Sequence, residues 1–147
     1  MKKIFALMLL LVSIAGYSQI ELVATESTEI ISKVSHVYIE KKGENEYSFY
    51  YKNINSVEHE YAHFSFKDLD NDFEKLYQIL NNGFIEVPRD PLKLKAKGEV
   101  VWLNYKVNDN DGEVTLQVEQ FISRDPDVKT TSRPMTQQDI QRLFKKA

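Results

Sequence analysis

The sequence predicts an α+β domain: a mostly antiparallel sheet of about six strands with two amphipathic helices packed on one face. Three observations predict it. Short runs alternate polar and apolar residues with period two and are rich in Tyr, Phe and Val. Two stretches place apolar residues at helical spacing instead. Turn clusters, among them Asp111-Gly112, separate the runs.

The chain opens with a segment of another kind. Lys2 and Lys3 precede an uncharged apolar run from Ile4 to Ala15. Gly16 and Ser18 set small residues before Gln19. A basic start, a short apolar core and a small-residue cut describe an export signal. Residues 1–18 are therefore expected to be cleaved near Ser18-Gln19, giving a periplasmic or secreted protein. The apolar run is shorter than the roughly 20 residues a bilayer span needs. No second such stretch follows, so no membrane span is expected after cleavage. Residues 19–33 are polar and read as a leader into the domain, ending in a first strand. Residues 34–147 read as a single domain.

Within that domain, Val34 to Lys41 alternates, Lys42 to Asn45 is a turn, and Glu46 to Asn53 is an aromatic strand. Together these predict a hairpin. Glu58 to Lys67 alternates again, with Phe64 and Phe66 on one face and Tyr61 and His63 on the other. Phe73, Leu76, Tyr77, Leu80 and Phe84 mark the first helix, with Gly83 at its expected C-cap. Strands follow at Leu92 to Lys97, Glu99 to Asn108 and Gly112 to Ser123. Arg124 to Pro134 reads as a polar loop. The last helix starts at an N-cap, Thr136, with Asp139 three residues on, and Met135 and Ile140 suit the hydrophobic staple.

A shift of 67 residues lays Asp72 to Tyr77 over Asp139 to Phe144, matching acid, apolar, polar, cation, Leu and aromatic positions. The hairpins around Gly43 and Gly112 also overlie. The pattern suggests a β-β-β-α tandem duplication with its two helices side by side and a groove at the junction.

Charge and composition exclude several functions. Cleavage removes two of the 19 basic residues and leaves 22 acidic ones, for a net charge of −5. So acidic a chain has no footprint for nucleic acid. Cysteine is absent, which removes thiol catalysis, thiolate zinc sites and disulfides.

One motif carries chemistry. His59-Glu60-Tyr61-Ala62-His63 matches H-E-x-x-H. On a helix the two imidazoles can share a zinc and the Glu can activate its water, as in zincin metalloproteases, which this short segment resembles. The period-two pattern argues otherwise, because residues four apart in a strand are separated by about 13 Å. No third ligand stands at a zincin spacing. His59 and His63 are read as polar residues on the outer face of a strand, with no catalytic, cofactor or metal site assigned. A zinc hydrolase using His59, Glu60 and His63 is the alternative. A calcium loop starting at Asp68 would have Phe73 and Ile79 in place of its Gly and Glu, and one through Asp109, Asp111 and Gly112 would start at Val107 and lack its first ligand. Helix capping and turn chemistry account for the alternating acids at Asp68, Asp70 and Asp72, and at Asp109 and Asp111.

Alternation also turns some of Tyr38, Tyr50, Tyr61 and Tyr105 outward, which would make a recognition surface. The export segment, the aromatic hairpin, the Phe64-x-Phe66 strand before a Leu-Tyr helix and the final Leu-Phe-Lys-Lys together resemble small exported proteins of uncharacterised function from Gram-negative bacteria. The expected function is a non-enzymatic binding module for a protein or an envelope component.

Overall fold

The computed structural model describes residues 27–58 and 60–147. The export segment, the start of the polar leader and His59 lie outside the described residues. The remainder is α+β with two helices and nine strands in two antiparallel sheets.

The first sheet is a meander of β1 (Thr28–Val34), β2 (Val37–Lys42), β3 (Glu46–Lys52) and β4 (Tyr61–Lys67), hydrogen-bonded in that order. Helix α1 (Asp72–Glu86) follows. The second sheet joins β5 (Leu92–Ala96), β6 (Glu99–Val107), β7 (Val114–Phe121) and β8 (Lys129–Thr131), with β9 (Met135–Thr136) also on β7. Helix α2 (Gln137–Leu143) ends the fold.

The expected single sheet of about six strands is thus corrected to two sheets of four and five. Alternation tells which face of a strand is buried but not which strand lies beside it. Here β4 and β5 are edge strands of different sheets. The outward Lys93 and Lys95 on β5 are the charged residues that commonly blunt an open edge. The added strands have local causes. The β1–β2 turn at Ser35 contains neither Gly nor Pro and is made by Ser35 in a left-handed conformation, φ 52°. The segment read as a polar loop contributes β8 because Thr130, Thr131 and Ser132 are buried.

One core joins both sheets and both helices. Val37, Ile39, Phe49, Tyr51 and Phe64 come from the first sheet. Val101, Leu103, Tyr105, Leu116 and Val118 come from the second. Phe144, just past α2, packs its ring against Phe73 and Tyr77 of α1 at 5.1 and 5.5 Å between centroids. The helices therefore touch, and each also reaches the sheets. Phe73 meets Tyr47 at 4.6 Å, while Ile140 and Leu143 face Val34 and Val37 across a cleft.

Gly83 is not a C-cap. It lies inside α1, and the helix ends at Val87, whose N–H bonds the Gly83 carbonyl. Gly83 is a close-approach residue: a Cβ there would stand 2.0 Å from Tyr105 Cζ. The ring fits only because Gly83 has no side chain, and the Tyr105 hydroxyl donates to the Leu80 carbonyl at 2.7 Å. The capping expectations for α2 are met, since Thr136 Oγ1 accepts from Asp139 N and the Asp139 carboxylate accepts from Thr136 N. The acidic cluster before α1 is used locally. Asp72 accepts from Leu69 N at 3.1 Å and Asp68 from Phe73 N at 3.3 Å.

The first half runs through four meander strands and then a helix, the second through five strands, two of them on β7, and then a helix. Phe49 and Tyr51 in β3 occupy the places that Leu116 and Val118 occupy in β7, and all four are buried.

Candidate functional site

Because Val37 and Ile39 point into the core, Tyr38 points out; the same rule exposes Tyr50 between Phe49 and Tyr51, and His63 beside Phe64. Register places these three in one row, Tyr38 opposite Tyr50 and Tyr50 opposite His63. Their rings stack across the strands. Tyr38 and Tyr50 lie 4.6 Å apart and 9° from parallel. Tyr50 and His63 lie 4.8 Å apart. Tyr61, opposite Lys52, leans in diagonally to 5.4 Å from Tyr38. Tyr105 is the exception among the four tyrosines, being buried under Gly83.

This stacking decides what the surface offers. Each ring covers its neighbour's face, so the ridge presents ring edges and phenolic hydroxyls to solvent. Burial against one another, and then the Glu40 carboxylate and neighbouring phenols, hold Tyr38 above its ordinary pKa; burial and then Glu40 do the same for Tyr50. Both hydroxyls therefore stay neutral, able to donate and to accept.

An apolar rim adjoins the ridge. The β3–β4 loop is strapped to β8: Ile54 N donates to the Thr131 carbonyl at 2.9 Å and Asn55 Nδ2 to that of Lys129 at 2.9 Å. The loop leading into β8 is pinned in turn by Ile122 N on the Val128 carbonyl. Large apolar side chains are left in solvent here, with Val57 94 % exposed, Ile122 67 % and Phe121 45 %. A cleft of about 300 Å³ separates His63 from Phe121 and Ile122. Trp102 lies beyond, 6.4 Å from Phe121, with the Lys93 ammonium over its ring. Sequence reading finds the ridge by alternation. It misses the rim, because nothing in the β3–β4 loop shows that it meets β8.

Of the H-E-x-x-H residues, Glu60 is exposed just before β4 and His63 is exposed on it. Residues 61–67 are extended, whereas the motif's spacing brings two imidazoles together on a helix. His59 lies outside the described residues. Among the described residues, no helix is long and apolar enough to cross a membrane.

A second concavity lies between the first sheet and the last helix. It measures about 480 Å³ between the β1–β2 turn and α2. Arg133 and His36 stand at its lip and join across it, Arg133 Nη1 to His36 Nε2 at 2.5 Å. Burial first, then the positive charges of Arg133, Lys52 and Lys33, hold His36 below its ordinary pKa. The imidazole is thus the neutral acceptor of the guanidinium N–H. Comparison with known proteins gives no matching family, curated protein or solved structure.

Proposed function

We propose that this protein is exported by its first 18 residues and acts as a non-enzymatic module that binds a protein of the cell envelope through the tyrosine ridge and its apolar rim. The observation that carries this reading is the stacked, outward row of Tyr38, Tyr50 and His63 beside the exposed Phe121 and Ile122. Contiguous exposed apolar surface edged by polar groups marks interaction sites, and tyrosine is enriched in them. The ring arrangement favours a protein over a glycan. Sugars dock on open aromatic faces, and these faces are used by one another; edge-on hydroxyls suit peptide groups and carboxylates. Lys33 and Lys52, in neighbouring positions on this face, favour an acidic partner surface. The recurrence of meander and helix supports an ancestral duplication, in which the first half took the recognition role.

The test uses tagged protein and a Tyr38→Ser/Tyr50→Ser variant against solubilised envelope. A partner retained by the original and lost by an equally folded variant supports the reading. Equal recovery by both overturns it. N-terminal sequencing of the exported protein should begin at Gln19; an intact Met1 would overturn the cleavage.

A further inference from the structure

The junction cleft has a chemistry of its own. Its depth is apolar: Val37, Met135, Ile140 and Leu143 are buried in its walls, and Val34 lines it from β1. Its one cationic lining residue is Arg133, which stands at the lip beside His36. Arg133 forms no salt bridge among the described residues. Its contact with neutral His36 occupies one of five N–H donors and neutralises no charge. One acid, Asp139, lines the cleft, and its carboxylate is engaged by Thr136 N as a helix cap. An apolar cavity of this size with a few convergent polar groups has the character of a small-molecule site.

We propose that this cleft binds an amphipathic anion, a medium-chain carboxylate whose head pairs with Arg133 and whose chain lies among Val34, Met135 and Ile140. A guanidinium matches a carboxylate through two parallel N–H bonds, and its desolvation beside an apolar wall strengthens the pairing. Of the apolar lining, Val34 is the part left half-open to solvent, and the chain covers it. His36 orients the guanidinium by accepting one N–H and, being neutral, does not compete for the anion. The site is independent of the tyrosine ridge, on the opposite flank of β2.

Decanoate is the probe. Calorimetric titration of the purified protein should give one saturable site, and decanoate should shift the Met135 methyl resonance. Decyltrimethylammonium and decanol should bind at least tenfold more weakly. Arg133→Gln, a change at an exposed side chain, should weaken decanoate at least tenfold, and Arg133→Lys should recover part of the loss. Three outcomes each overturn the site: no saturable uptake of decanoate, an unmoved Met135 methyl, or equal affinity in Arg133→Gln. Retention of the envelope partner by Arg133→Gln keeps this test separate from that of the ridge.

Discussion

The two sheets are alike inside and unlike outside. Phe49 and Tyr51 of β3 and Leu116 and Val118 of β7 fill the same kind of place in one core. Turned over, the first sheet shows a stack of tyrosines and a histidine, while the second shows Asn104, Gln117 and Glu119 around a single Trp102. The shared inner pattern is what burial demands of any strand in a core. The outer faces carry no such demand, so their difference is free to encode a task. The lesson is that the fold of this chain resides in one half of each strand's residues, and the recognition we propose for it in the other half.

That separation can be tested by substitution, beginning inside. Gly83→Ala should cost the most, about 2–3 kcal/mol, because the new methyl would collide with the buried Tyr105 ring and force α1 off the second sheet. Chemical denaturation measures it; an unchanged midpoint would show that the helix–sheet approach is looser than the geometry states. Tyr51→Phe comes next, at about 1–2 kcal/mol. Its hydroxyl meets Gln120 Oε1 at 2.5 Å and Thr130 Oγ1 at 2.7 Å, and the change leaves both without that partner.

The same phenol has a pH signature. Burial pushes its pKa up to about 12. The unfolded phenol ionises near pH 10, so between about pH 10 and 12 the unfolded chain holds fewer protons and stability falls as pH rises. Below pH 10 its contribution is intact. Urea midpoints measured across this window should fall less steeply in Tyr51→Phe. Thr136→Ala, which removes the N-cap of α2, should cost about 1 kcal/mol, read from thermal melts. Smallest is the outer face: Tyr50→Ser should change stability by under about 1 kcal/mol while abolishing partner capture. A large loss of stability there would erase the distinction between the two faces.

Much of this was legible in the residues. The alternation of β2 to β4 gives the inward Phe49 and Phe64 and the outward Tyr50 and His63 correctly, and the Thr136–Asp139 cap is explicit in the sequence. The failures share a cause. Ser35 takes a turn conformation that its side chain does not advertise, so β1 and β2 read as leader and strand. Thr130 and Ser132 look like loop residues, yet they are buried because Tyr51 and the Val118 N–H meet their hydroxyls. Gly83 has the spacing of a terminator, but its role depends on a ring 22 positions later. Each miss is a partnership between distant residues, and neither local propensity nor period records those. The apolar rim is of this kind, since the β3–β4 loop meets β8 only once the sheets are assembled.

The Tyr51 hydroxyl also has a consequence in time. A nascent chain emerges from its N-terminus, and β1 to β4 are made first. Until residues 120–130 arrive, the first meander carries in its centre a phenol whose partners do not yet exist. An unmet polar group in an apolar setting is costly. Until then water meets that hydroxyl, and its burial with Gln120 and Thr130 as partners waits for nearly the whole chain.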